Sequence, residues 1–302
     1  MNQTMCVRGW TPVLLAGAAS LAVVVSSGRL SVRAQGNDTR VVYAAVTDKG
    51  GKPLKGLTAA QFAVGEDRTM KTVLSVEPAT GPLSVALLVD RFGPDATFSI
   101  LAVRGAIDSI VKTLHAANRD SEISLTTIDP AAVPQLPFTM SAVELSNVIK
   151  RLPPGVDQSV LLDGIVTASR SMAAAKYPRR AIVAVVAGYK VEGSSVEGPV
   201  LASALRQSRA SLWVVEGRSS FGGGAPNGAR DAMLTLAVPA SGGASVSVGV
   251  GTALETMAKR LTETLASQYA VTYAAPSASA SALAVSVNVK NAKVLAPAWI
   301  AR

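Results

Sequence analysis

The sequence contains one cysteine, Cys6, and one histidine, His115, among its 302 residues. A single cysteine excludes a disulfide within the chain, and zinc sites are excluded because they need several His or Cys ligands. Aromatic residues make up only 4% of the chain. We therefore expect a core of Ala, Val, Leu and Ile, which suits buried parallel strands covered by helices.

The chain also lacks a run of Lys and Arg with interleaved aromatic residues, so we predict no nucleic-acid binding. Basic residues nevertheless outnumber acidic ones and give a formal net charge of +9. A modest positive charge favours acidic partners through long-range steering and carries no information about the fold.

Residues 1–34 have the features of a secretory signal. Arg8 supplies a positive end, the apolar run 13–25 follows, and a small-x-small cleavage site ends at Ala34. The apolar run is shorter than the roughly 20 residues that a membrane-spanning helix needs. We predict a secreted or periplasmic chain that begins at Gln35 and has no stable membrane insertion after cleavage. An uncleaved anchor is the alternative.

Residues 35–82 are predicted to form a small N-terminal β module. The segments 41–46, 62–66 and 73–76 have strand character, and the stretch 48–53 is rich in Gly, Pro and Asp, which favour turns. The one helical feature expected here is a turn at 58–61.

Between residues 83 and 275, apolar runs alternate with segments of helical periodicity. The run 84–90 is continuously apolar and ends in an acid, which is typical of a central parallel strand. Further strands are predicted at 122–128, 180–187, 211–216 and 268–273, and helices at 98–117, 141–152, 160–175, 200–209, 231–238 and 252–266. Residues 276–302 are predicted to be an Ala/Ser-rich linker and a C-terminal β tail.

This alternation implies a Rossmann-like α/β fold, a parallel sheet with helices on both faces. Ligands of such sheets bind beyond the carboxyl ends of the strands. The loops at that edge are 90–97, 153–159, 187–199 and 217–230.

Four short phrases occur in order along the chain: GLTAAQFAVGED at 56–67, PFT at 137–139, RRAIV at 179–183, and SQY at 267–269 followed by Tyr273. In these phrases the chain resembles the von Willebrand factor A-related proteins of acidobacterial type, with Gln61 in place of their usual Asp. The resemblance covers nearly all of the chain after the signal. It implies a von Willebrand A-type fold for 83–275 and a protein-binding function.

The resemblance also implies a metal-ion-dependent adhesion site, whose pattern is Asp-x-Ser-x-Ser after the first strand of the A-type domain. Mg²⁺ prefers such hard oxygen ligands and keeps an open position for a partner's carboxylate. Here Asp90 is retained, but Phe92 and Pro94 replace the two serines. Ser159 stands in place of the family's Thr. Gly188 ends the phrase in which the family has its late Asp, and that carboxylate is missing. The site is therefore predicted to be degenerate, with Asp90 and Ser159 as its residual candidate ligands.

We accordingly predict an exported, non-enzymatic, adhesion-like or scaffold-like interaction module that binds an unidentified protein and no cofactor. Its candidate binding face is the rim, defined as residues 90–98, 153–159 and 187–195. Arg91 and Phe92 are candidate contact residues there, since Arg and aromatic side chains are favoured as interface anchors. Phe92 has the alternative of folding down to plug the space left by the metal.

Two alternatives remain open from the sequence. In the first, a metal-dependent site is rebuilt with the help of Asp95. In the second, from a different class, an envelope hydrolase uses His115, although no Gly-x-Ser-x-Gly elbow accompanies it. Nucleotide cofactors are not expected, because the glycines at 222–224 are not followed by Lys-Ser/Thr, and those at 249 and 251 have no third glycine and follow no convincing strand.

Overall fold

The structure is a computed structural model that describes residues 39–91, 100–156, 158–187, 190–218, 228–249, 251–275 and 282–300. The predicted signal at 1–34 lies outside these ranges. The strands are β1 (Thr39–Thr47), β2 (Phe62–Glu66), β3 (Thr69–Lys71), β4 (Val73–Pro78), β5 (Ser84–Val89), β6 (Glu122–Ile128), β7 (Ala132–Thr139), β8 (Gln158–Ser159), β9 (Arg180–Ala187), β10 (Val191–Glu192), β11 (Ala210–Gly217), β12 (Ser245–Val248), β13 (Tyr269–Ala274), β14 (Leu283–Val287) and β15 (Lys293–Leu295). The helices are α1 (Ile100–Ala117), α2 (Ala142–Arg151), α3 (Leu161–Ser171), α4 (Gly198–Ser208), α5 (Gly228–Ala240) and α6 (Gly251–Ala266).

A six-stranded central sheet has the order β12-β11-β9-β5-β6-β7. All neighbours in it pair in parallel except β7, which is antiparallel to β6 at one edge. Every residue of β5 is buried. Its Val85 and Leu87 belong to one core cluster and its Ala86 and Leu88 to another, because successive side chains of a strand point to opposite faces.

The two core clusters place helices on both faces of the central sheet. The first cluster contains apolar side chains of α1, α2 and α6, and the second contains those of α3, α4 and α5. The predicted Rossmann-like α/β class, a mostly parallel sheet with helices on both faces, is confirmed. Within the described ranges, no helix is both long and apolar enough to cross a membrane.

Two strands of the central sheet were not predicted. The segment of β7 contains Pro134 and Pro137, which argue against a central strand but are tolerated at an edge, where one side of the backbone has no ladder partner. The prediction that no strand precedes Gly249 is wrong, since β12 ends at Val248 and pairs with β11.

Most helices begin and end close to the predicted residues, and α2 opens on an N-cap at Ser141, whose own N–H donates to Oγ1 of Thr139. The Ser141 side chain accepts a hydrogen bond from the Glu144 N–H, which satisfies one of the free donors of the first turn. The exception is α5. It begins earlier than predicted and continues through Pro239 to Ala240.

Outside the central sheet, the N-terminal strands pair with strands from the far end of the chain. One antiparallel sheet has the order β15-β1-β13-β4, and another has β14-β2-β3. The predicted strand at 268–273 is therefore present as β13, but it lies beside β1 and β4 and not in the central sheet. The division into 35–82, 83–275 and 276–302 stays a prediction, and strands from all three segments meet in these two sheets.

Candidate functional site

The rim lies at the carboxyl ends of the central parallel strands. Asp90 directly follows β5, and its backbone N–H donates to the Val185 carbonyl oxygen of β9 at 2.9 Å. Its side chain is fully buried. A carboxylate at this depth needs hydrogen bonds and a balancing charge, because burial of an unpaired ion is costly.

That balancing charge is the ammonium of Lys190, in the segment between β9 and β10. Nζ of Lys190 donates to Oδ1 of Asp90 and, at 3.2 Å, to the Arg91 carbonyl oxygen. It also lies 3.8 Å from Oδ2 of Asp129. Lys190 is only 1% exposed. Lys190 was missed in the sequence, where it is a single lysine in a segment between two strands.

Arg91 and Asp129 form a second ion pair beside the first. The Arg91 backbone N–H and its Nε both donate to Oδ1 of Asp129 at 3.1 Å, and its Nη2 donates to the Asp129 carbonyl oxygen at 3.0 Å. Arg91 was predicted as a partner-contacting residue. Its guanidinium is turned toward Asp129 and its side chain is 19% exposed, and contact with a partner stays a prediction.

The loop after α2 closes over this pair. The Val156 N–H donates to Oδ2 of Asp129 at 3.3 Å. A Cβ placed on Gly155 would overlap the Arg91 carbonyl oxygen and the Asp129 carboxylate, so this close approach requires glycine. Asp129 was missed in the sequence. The available signal was an acid that directly follows the strand beside β5.

Ser159 lies in the same region on a different support. It ends β8, which pairs in parallel with β10, and its register partner there is Glu192. Ser159 is 1% exposed, and its hydroxyl oxygen has no hydrogen-bond partner among the described residues. The structure thus brings Asp90 and Arg91 together around Lys190, whereas the Ser159 hydroxyl makes no hydrogen bond to that group.

Two further acids hold the segment that follows Lys190. Oδ1 of Asp163, in the first turn of α3, accepts the N–H groups of Ser195 and Val196, both at 3.2 Å. Glu192 accepts the Ser194 N–H at 3.3 Å, and burial raises the pKa of its carboxyl above the ordinary value. The Asp163 contacts fasten the end of the rim segment, at Ser195, and the following Val196 to α3.

Three predicted site residues lie outside the described ranges. They are Phe92, Asp95 and Gly188. Contact by Phe92, the alternative in which it plugs the site, and a compensating role of Asp95 all stay predictions.

The residues present do not fit a divalent cation at Asp90 as they stand. In the part of the chain that the structure describes, no group of three or more His, Cys, Asp or Glu side chains is arranged to hold a metal ion. The contact on Asp90 that a cation would use is taken by the Lys190 ammonium. An ammonium and a Mg²⁺ ion repel each other, and they compete for the same oxygens.

His115 lies far from this group in the fold. It stands in the last turn of α1, which leads to the amino end of β6, whereas the rim is at the carboxyl ends of the strands. Its Nε2 lies 3.2 Å from the Ser121 carbonyl oxygen. A backbone carbonyl is not a nucleophile that a histidine can activate, so this contact supplies no nucleophile, and the hydrolase alternative stays a prediction.

The solved structures that the chain is similar to include von Willebrand factor A domains. For the SpRpn10 VWA domain the identity is 15% and the TM-score 0.46, with 59% of this chain and 94% of that one covered. For the von Willebrand factor type A protein from Catenulispora acidiphila the values are 11% and 0.47, covering 87% and 75%. The pilus adhesin SpaC from Lactobacillus rhamnosus GG has 8% identity and a TM-score of 0.46, covering 61% of this chain and 30% of the adhesin. No protein-family model matches the chain, and no curated protein matches it either.

Proposed function

We propose that the chain is an exported, non-enzymatic protein-interaction module whose von Willebrand A-like rim has lost metal binding. The observation that carries this proposal is the buried contact between the Lys190 ammonium and Asp90. Asp90 is the one carboxylate that the sequence retains from the adhesion-site pattern, and its partner is a cation that belongs to the chain itself.

The charges around Asp90 support the same conclusion. Two buried carboxylates, Asp90 and Asp129, face two cations, Lys190 and Arg91. Among the described residues these four charges balance, so they leave no surplus negative charge to attract a divalent ion from water. A metal ion would have to displace the tethered ammonium and leave its charge buried without a carboxylate. Breaking a buried ion pair in this way costs roughly 3–5 kcal/mol.

Two apolar side chains give the rim a surface for a partner. Val156 is 47% exposed and Val191 is 65% exposed. The Val156 backbone is hydrogen-bonded to Asp129. Val191 directly follows Lys190 and is the first residue of β10. Both apolar groups are therefore presented on loops that the buried ion pairs hold in place. Rigid loops with exposed apolar groups are common sites of recognition.

The metal part of the proposal is tested by thermal unfolding of the exported chain, from Gln35 onward, in EDTA and in millimolar Mg²⁺ or Mn²⁺. We expect the same melting temperature in all three. Saturation of a metal site at about 100 times its dissociation constant adds roughly 2.7 kcal/mol of stability, so a site would be seen as a clear upward shift. Such a shift would favour the alternative with a rebuilt site, in which Asp95 takes part.

The interaction part is tested with a matched pair of variants, Val191→Asp on the rim and Val143→Asp on α2. The two side chains have similar exposure, 65% and 70%, and Val143 lies at the start of α2, away from the rim. Partner capture from an envelope extract should be lost in the rim variant and kept in the α2 variant. Equal capture by both would place the binding face elsewhere.

The hydrolase alternative is separated from this proposal by His115→Ala. An interaction module should keep partner capture in that variant. Loss of a hydrolytic activity that the unsubstituted chain possesses would support the enzyme instead. Export itself is checked by N-terminal sequencing of the chain recovered outside the cytoplasm, which we expect to start at Gln35.

A further inference from the structure

Among the described residues, three oxygens from two neighbouring strand ends face the Lys190 ammonium. Asp90 and Arg91 follow β5 and supply a carboxylate oxygen and a carbonyl oxygen, the latter at 3.2 Å. Asp129 follows β6 and supplies a carboxylate oxygen at 3.8 Å. Lys190 itself comes from a third place, the segment after β9. The ammonium thus joins three separate loops of the rim at one point.

Carboxylate and carbonyl oxygens are also the ligands that Mg²⁺ and Ca²⁺ select. An ammonium carries one positive charge and three N–H donors, so it can meet a small group of such oxygens in a similar place. It differs in being covalently attached, which makes its local concentration independent of the solution. It also offers no open coordination position to a partner, because Lys190 is 1% exposed.

We propose that the Lys190 ammonium is the internal cation of this rim: it holds the loops after β5, β6 and β9 together as a bound divalent ion would, and it blocks a latent divalent-cation site formed by the oxygens around it. This inference rests on the proposed loss of metal binding in the unsubstituted chain. Beyond that loss, the Lys190 ammonium stands in the place of the metal, and the oxygens of Asp90, Arg91 and Asp129 keep the capacity to bind a divalent cation once it is removed.

A consequence follows for the kind of partner. A metal with an open position captures a partner through a carboxylate, whereas a buried ammonium is out of reach. Recognition at this rim should therefore not need an acidic group of the partner to complete a coordination sphere, and the exposed apolar side chains Val156 and Val191 are available for contact. Partner capture should be insensitive to EDTA.

The inference is tested by removing the ammonium in two ways. Lys190→Ala removes the charge and opens space beside Asp90 and Asp129. Lys190→Met removes the charge but fills the space with an apolar chain of similar length. Both should melt lower than the unsubstituted chain in EDTA, because two buried carboxylates are left with Arg91 as the nearest cation.

Metal addition then separates the two variants. Saturating Mg²⁺, Mn²⁺ or Ca²⁺ should raise the melting temperature of Lys190→Ala by about 5–10 °C and leave that of Lys190→Met unchanged. The double variant Lys190→Ala with Asp90→Asn should lose the response, since Asn removes a charged ligand. A folded Lys190→Ala chain that none of the three metals stabilises would overturn the inference.

A chain that does not fold still gives a result. If Lys190→Ala is unfolded in EDTA, refolding from urea in millimolar Mn²⁺ or Ca²⁺ should recover the native fold, and no recovery in either metal contradicts the inference. The unsubstituted chain distinguishes the two proposals. A metal-dependent melting temperature there contradicts the proposed function, whereas an unresponsive Lys190→Ala contradicts only the internal-cation inference.

Discussion

Replacement of Arg179 by Ala should destabilise the fold far more than replacement of its neighbour Arg180. Arg179 stands just before β9 and is only 4% exposed. Its guanidinium donates to four backbone carbonyl oxygens and one side-chain oxygen. These are the carbonyl oxygens of Ala79 (2.6 Å), Gly81 (3.1 Å), Leu265 (2.8 Å) and Ala266 (2.9 Å), and Oε1 of Gln268 (3.0 Å).

The acceptors belong to different parts of the chain, so Arg179 joins them. Ala79 and Gly81 lie between β4 and β5, and the next two carbonyls are in the last turn of α6, where helix carbonyls have no partner within the helix. No carboxylate lies within ion-pair distance of the guanidinium among the described residues, and burial lowers the pKa of Arg179 to about 10. The four backbone carbonyls and the Gln268 side-chain oxygen therefore compensate this charge without a carboxylate.

The magnitude follows from the number of acceptors. Each intramolecular hydrogen bond contributes about 1 kcal/mol net, and a buried acceptor left unpaired costs about 1–3 kcal/mol. Relief of the buried charge offsets part of this. We expect Arg179→Ala to lower the free energy of unfolding by about 3–5 kcal/mol, a drop in melting temperature of roughly 10 °C. The stability of Arg179→Lys should lie between that of the unsubstituted chain and that of Arg179→Ala, because an ammonium has three donors and lacks the planar fork of a guanidinium.

The control is Arg180→Ala, the adjacent residue of the same type. Arg180 is half-buried, and its bonds to the carbonyl oxygens of Tyr177, Ser208 and Ala175 are longer, 3.2, 3.3 and 3.5 Å. Its loss should cost about 1 kcal/mol. Thermal and urea unfolding of the three chains provide the measurement. Equal destabilisation by the Arg179 and Arg180 variants would refute the argument that the carbonyl contacts of Arg179 join these segments.

Three further predictions concern the rim. Gly155→Ala should lower stability by about 1–3 kcal/mol in urea unfolding, because its Cβ overlaps the Arg91 carbonyl oxygen, whereas Gly81→Ala, with open space around the new carbon, should be near neutral. Ser159→Ala removes a buried hydroxyl that has no hydrogen-bond partner among the described residues, so it should be neutral or stabilising by up to about 1 kcal/mol. A marked loss of stability that Mg²⁺ modulates would point to a metal ligand. Burial raises the pKa of the Glu192 carboxyl in the fold. Above the ordinary carboxyl pKa, the folded state therefore binds more protons than the unfolded state. The contribution of Glu192 to stability then declines as the pH rises from the ordinary pKa through the folded pKa. Glu192→Gln should remove that decline in melting curves taken between about pH 4.5 and 7, and an unchanged pH profile would contradict it.

The central sheet was predictable because its signals are local. Burial on both faces makes β5 a continuous apolar run, and the helices carry their own periodicity and, in α2, an N-cap serine. The edge strand β7 was missed because its prolines argue for a turn in any window read without knowledge of its neighbours. Whether a proline's missing N–H matters depends on which side of the strand is unpaired, and that is decided by the sheet and not by the segment.

The candidate site was predictable only in part, for a related reason. Asp90 was found from its position after an apolar strand. Its partner Lys190 is separated from it by 100 residues, and no spacing rule connects a loop lysine to an acid at that distance. Ser159 was named from a phrase of the family pattern and is buried in the rim region, but the hydrogen bonds at the group's centre come from Asp129 and Arg91 instead.

Because β1 pairs with β13, the N-terminal strands can complete their sheet only late in synthesis. Thr39 pairs with Ala274, and β2 likewise pairs with β14; the Leu57 N–H donates to the Tyr269 hydroxyl across 212 residues. During synthesis the first strands therefore emerge long before their partners exist. Contacts of such long sequence separation slow folding, and a chain that stops before β13 leaves β1 and β2 with unpaired edges open to aggregation. The strands β1 and β2 thus lack their C-terminal partners until nearly the whole polypeptide has been made.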